Sequence, residues 1–97
     1  MLVRAVVRAG FDRLIACYED GLRRDPTLAG RVTVVFVIQP DGTVKDVHAR
    51  STTLGDDAAV ECILDRFRTL VFPRPPGGIL TVEYPVSFTP GQDEEKK

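Results

Sequence analysis

The chain has 97 residues, 43% of them hydrophobic and 28% charged, and its 13 basic and 14 acidic side chains leave a formal net charge of −1. That length supports one domain with one modest core, and the charge balance supplies no domain-wide positive field to hold nucleic acid or anionic lipid. The longest unbroken apolar run, Val34 to Ile38, is far too short to span a membrane, and the opening MLVRAVVRAGF lacks the uninterrupted apolar core of a secretory leader.

From Leu2 to Arg24, the residues Val3, Val7, Phe11, Leu14, Tyr18 and Leu22 recur at helical spacing, while Arg4, Arg8, Asp12, Arg13 and Glu19 fill the other faces. This pattern predicts one amphipathic helix, with Arg23 and Arg24 complementing its dipole and Pro26 stopping it. Arg31 to Gln39 alternates next, with Val32, Val34, Phe36 and Ile38 on one side, and reads as a first strand. Pro40-Asp41-Gly42 supplies a preset φ, a side-chain hydrogen bond and a permitted positive φ in turn order. A second strand is expected over Thr43 to Ser51. Its alternation slips between Val44 and Val47, which points to a bulge near Lys45 and puts Val47, Ala49 and Ser51 on one face.

Asp56 or Asp57 is expected to cap a second helix running through AAVECILDRFRTL, with Val60, Ile63, Leu64 and Phe67 inward and its end before Pro73. Arg74-Pro75-Pro76-Gly77-Gly78 is a stiff connector ending in a flexible pair. A third strand follows over Ile79 to Phe88, where Leu80, Val82, Tyr84, Val86 and Phe88 alternate with Thr81, Glu83, Pro85 and Ser87. The domain is therefore expected over residues 1–90, with residues 91–97 a disordered polar tail. The order α-β-β-α-β is the α+β class, with two helices on one face of an antiparallel sheet. The most apolar strand, the first, is the natural central one, giving the strand order 2-1-3.

Little in this chain carries chemistry. Cys17 and Cys62, the two cysteines, each fall mid-helix at the margin of an apolar stripe. They admit two readings, a disulfide joining the helices or two small buried thiols. Neither CxxC spacing nor the four ligands of a zinc site is available, so redox catalysis and metal binding are not expected. His48 alternates with Val47 and Ala49 and so faces solvent rather than a nucleophile. Asp56 and Asp57 read as a helix cap, and Asp93, Glu94 and Glu95 as a solvated tail. Gly77-Gly78 precedes a strand, not a helix, so no phosphate loop is present. No cofactor is expected, and the chain does not read as an enzyme.

Because proline gives no N–H to a ladder, Pro85 makes the third strand an edge strand or breaks it locally. Such an edge is either guarded against aggregation or a dock for a partner's extended segment. In the docking reading, a proline at Val82 or Val86 is expected to abolish capture without unfolding the domain. The sheet face carrying Thr33, Val35, Val37, Thr81 and Glu83 is expected to be uncovered.

The run GRVTVVFVIQPDGTVKDV, then Ser51-Thr52-Thr53-Leu54, a helix ending in RFRTLVFPRPPGG, and TVEYPVSF together resemble the TonB C-terminal domain superfamily. The CYEDGL segment before Pro26, Leu28 and Gly30, the second cysteine in AAVECILDRFR and the FPRPPGG connector look most like the AgmX/PglI-type branch, found in gliding-motility and related envelope proteins of Gram-negative bacteria. The resemblance covers about Ile15 to Phe88. It implies a non-enzymatic, periplasmic protein-interaction module at the end of a longer, energy- or force-transducing protein, anchored through a membrane helix upstream of this chain. An outer-membrane or periplasmic partner would add to the third strand's edge at Thr81, Val82, Glu83, Tyr84, Pro85, Val86 and Ser87. An oxidising periplasm would favour the Cys17–Cys62 bridge. Two rivals remain: a structural module that homodimerises through its sheet edge or open face, and a small enzyme or ligand-binding domain using the cysteines or His48.

Overall fold

A computed structural model describes residues 3–90. The polar tail expected over residues 91–97 lies outside the described residues, as does Leu2. The elements run α1 (Val3–Ala9), α2 (Phe11–Arg24), β1 (Gly30–Ile38), β2 (Val44–Thr52), α3 (Asp57–Arg68) and β3 (Leu80–Phe88). The three strands form one antiparallel sheet in the order β2-β1-β3, as expected.

The single helix expected at the start is two helices, which is a correction. Gly10 breaks it with φ −96° and ψ 7°, its N–H donating back to the carbonyls of Val6 and Val7. Glycine carries the highest helix-interior cost of any residue but proline, and a Cβ at Gly10 would crowd Leu70 at 3.3 Å. Most of the expected inward stripe holds: Val7, Leu14 and Tyr18 are buried, Phe11 and Leu22 half-buried.

The hairpin is built as its turn residues require. Gly42 donates to the Gln39 carbonyl, and Gln39 donates to that of Thr43. Asp41 accepts from the backbone and hydroxyl of Thr43. Gly42 sits at φ 92°, and a Cβ there would lie 2.1 Å from the Phe72 carbonyl oxygen. The connector after α3 passes this turn, Phe72 donating to Gly42, and buries Phe72 against Phe36 with ring centroids 5.6 Å apart.

β2 slips register against β1 twice, between Val35 and Val37 and between Thr33 and Val34. The first slip is the bulge expected near Lys45; its left-handed residue is the next one, Asp46, at φ 56°. The second turns Ser51 outward. Because Ser51 pairs with Thr33 while Ala49 pairs with buried Val34, Ser51 leaves the face it was expected to share with Val47 and Ala49.

The core lies between the helices and the sheet face bearing Val32, Val34, Phe36 and Ile38, all 0% exposed. α3 starts as expected: Asp56 caps it by accepting from the Ala59 N–H, and Val60, Ile63, Leu64 and Phe67 are buried. It ends at Arg68, two residues before Leu70, with Thr69 as its cap. α2 and α3 run antiparallel. Arg24, at the end of α2, grips Asp56, at the start of α3, through two hydrogen bonds of 2.9 and 3.1 Å. Farther along, Cys17 and Cys62 are joined as a disulfide with Cα atoms 5.6 Å apart. Between these ties Gly21 makes room for the Leu28 side chain and the α3 cap, since a Cβ there would lie 2.6 Å from Leu28 and 3.3 Å from the Asp56 carboxylate.

Candidate functional site

The residues singled out for partner binding, Thr81 to Ser87, lie on β3, one of the two outer strands. What this edge offers depends on which way its backbone groups point. Successive residues of a strand direct their N–H and C=O groups to opposite sides, so bonded and non-bonded pairs alternate. Arg31 accepts from the Thr53 N–H at 2.9 Å and donates to the Thr53 hydroxyl, and Gln39 donates to Thr43. Odd-numbered residues of β1 therefore bond toward β2, and even-numbered ones toward β3.

The register then sorts β3. Leu80, Val82, Tyr84 and Val86 pair with Ile38, Phe36, Val34 and Val32, so their backbones are spent on β1. Thr81, Glu83, Pro85 and Ser87 pair with Val37, Val35, Thr33 and Arg31, so their backbones point away from the sheet. Pro85 consequently takes nothing from the ladder; it removes one outward donor. Thr81 and Glu83 present N–H and C=O groups at a regular spacing, and Pro85 presents a carbonyl. The sequence alone did not separate these two sets, because an alternating strand does not reveal which residues bond inward.

β3 is pinned at its far end. Phe88, 0% exposed, lies against Tyr18 and Phe11 with ring centroids 5.0 and 6.1 Å apart. Tyr18 in turn donates its hydroxyl to the Leu28 carbonyl. Burial, reinforced by the charge of Asp25, pushes that hydroxyl above its ordinary pKa, so it remains a donor at neutral pH.

Among the described residues no element covers the opposite sheet face, where Thr33, Val35 and Val37 are half-buried. Arg50, from the second β2 bulge, reaches across β1 to Glu83 at 2.7 Å and roofs part of this face. Both side chains are largely exposed, at 66% and 51%, so the pair contributes less than about 1 kcal/mol. His48 is exposed, its ring Nδ1 3.3 Å from the Asp46 carbonyl oxygen. Among the described residues no three His, Cys, Asp or Glu side chains are grouped to hold a metal, and no helix is long and apolar enough to cross a membrane.

Two features escaped sequence reasoning. Arg68 of α3 donates to the Val47 carbonyl at 3.4 Å, occupying an acceptor on β2. Val71 and Ile79, 66% and 58% exposed, are the exposed large hydrophobics among the described residues, both in the connector between α3 and β3. The only signal for them was a pair of large apolar residues in a proline-rich connector.

No family model matches the chain, and no curated protein matches it. Similar solved structures include two of the TonB C-terminal domain of Helicobacter pylori, determined in solution. One is 21% identical, covering 81% of this chain and 78% of that one at a TM-score of 0.52. The other is 22% identical, covering 84% of this chain and 92% of that one at a TM-score of 0.55. The likeness is one of fold: this chain has the TonB C-terminal domain fold.

Proposed function

We propose that this domain is a non-enzymatic protein-interaction module of a TonB-like envelope protein. It works in the periplasm and captures an extended segment of an outer-membrane or periplasmic partner by strand addition to β3. One observation carries this reading: β3 is an outer strand whose outward N–H and C=O groups keep an unbroken two-residue spacing from Thr81 to the Pro85 carbonyl. The likeness to TonB C-terminal domains supports it at the level of fold. The cysteine pair also suits an oxidising compartment and, with the motifs around it, an AgmX/PglI-type domain of a force-transmitting machine such as a gliding apparatus.

The Cys17–Cys62 link closes a loop of 45 residues containing β1 and β2. Tension applied between the N-terminal helices and β3 therefore cannot draw out the hairpin until that bond is cut. Such a topology fits a module that carries load.

The test is a proline pair, and the geometry moves it from the positions expected from sequence. Val82 and Val86 bond to β1, so proline there breaks the ladder and leaves a carbonyl unpaired, costing about 1–3 kcal/mol. Thr81→Pro and Glu83→Pro take nothing from the ladder and remove outward donors; Glu83→Pro also gives up the exposed Arg50 pair, worth less than about 1 kcal/mol. In-cell photo-crosslinking from Thr81 is expected to trap a partner, and Glu83→Pro is expected to abolish the adduct while the melting temperature stays within a few degrees. Undiminished crosslinking in the Glu83→Pro domain, or adducts formed from Ala49 on β2 instead, refutes the proposal. Adducts between two copies of this chain would favour the homodimer.

A further inference from the structure

The helix-facing side of β3 is covered unevenly. Val86 and Phe88 are buried, 4% and 0% exposed, at the end pinned by α2. Leu80, Val82 and Tyr84 point to the same side but are only half-buried. This uncovered row runs beside the stretch whose backbone groups face outward. On the other side of the strand, Thr81, Glu83 and Pro85 are exposed, and Glu83 is already paired with Arg50.

Resting on the strand-addition reading, we infer that the partner segment is itself amphipathic: a short strand whose alternate residues are apolar and lie on the helix side, alongside Leu80, Val82 and Tyr84. A strand added to this edge runs about 4.8 Å from β3, so its side chains on that side meet the half-buried row directly. Its intervening residues fall beside Thr81, Glu83 and Pro85, where polar groups stay hydrated. The backbone limits its length. With two donors, at Thr81 and Glu83, and three acceptors, ending at Pro85, the edge accommodates about five residues. A uniformly polar segment would leave the row in water. A uniformly apolar one would press against the Arg50–Glu83 pair.

Two nine-residue peptides of identical composition test this in NMR titrations of the intact, oxidised domain. One alternates valine with threonine between terminal lysines; the other gathers its valines into a block. The alternating peptide is expected to shift the amides of residues 80–85 and to bind at least tenfold more tightly than the block peptide. Leu80→Thr and Val82→Thr should each weaken it about fivefold or more, while Lys45→Glu, on the uncovered face, leaves it within twofold. Equal binding of the two peptides by wild-type protein overturns the inference without requiring any variant to fold. Loss of binding in Thr81→Pro but none in Leu80→Thr keeps the edge and discards the apolar row. Unchanged binding in Thr81→Pro discards strand addition itself, and the inference with it.

Discussion

The two outer strands of this sheet have nine residues each and meet the same central strand, yet they present opposite edges. β2 is interrupted by two bulges, holds Asp46 at φ 56°, and gives its Val47 carbonyl to Arg68 of α3. Its outward groups are therefore unevenly spaced and partly occupied, and Lys45, Asp46 and Arg50 stud it with charge. Those are the devices by which proteins discourage edge-to-edge pairing. β3 keeps one register from Phe88 to Leu80, and its one guard, Pro85, takes away a single donor. An edge is thus closed or open by the regularity of its backbone more than by the polarity of its side chains.

That contrast can be broken or sharpened by measurement. The largest effect is expected at the point where β3 is fastened. Phe88→Ala should lower stability by about 3–5 kcal/mol in urea unfolding; a loss below about 1 kcal/mol would mean the strand is held elsewhere. Next, the Cys17→Ala/Cys62→Ala double variant should lose about 4 kcal/mol, the loop-closure entropy for a separation of 45 residues. An unchanged melt on adding reductant, together with two alkylatable thiols in natively purified protein, would remove the staple from the account.

Smaller is the strain at the β2 bulge. Asp46→Val should cost about 1–2 kcal/mol, because a branched side chain resists the left-handed region, while Asp46→Gly should cost nothing. Equal losses in both would show that the Asp46 side chain, not its backbone, holds the bulge. The smallest effect is acid sensitivity. The hydrogen bond from Arg24, then that from the Ala59 N–H, holds Asp56 below the ordinary carboxylate value of 3.8. Bonds from Thr27 and Thr43 do the same for Asp25 and Asp41. A lowered folded pKa stabilises the fold above the unfolded value, and that contribution fades as pH drops below about 4 toward the folded one. Unfolding at pH 5 and pH 3 should therefore differ less in Asp56→Asn than in the wild type.

Much of this was legible in the residues. Alternation at Val32, Val34, Phe36 and Ile38 marked the central strand, Pro40-Asp41-Gly42 its turn, and Asp56 the cap of α3, because each signal is local and acts through the backbone of its own segment. The slip after Val44 betrayed the first bulge for the same reason. The second, at Arg50, left no trace, since nothing in ARST departs from ordinary strand composition. Gly10 sits within a continuous helical stripe, so periodicity alone runs through it, although a lone glycine is also a candidate break.

The chain by itself determined the elements, their order and the apolar side of each, since periodicity and turn chemistry are properties of neighbouring residues. Only the tertiary structure decided which backbone groups of β3 look outward, where α2 and α3 touch, and that α2 covers Phe88 but leaves Tyr84 half-bare. Those facts depend on register and on how one layer is set upon another. Both are fixed by contacts between residues far apart in sequence, which no local pattern encodes.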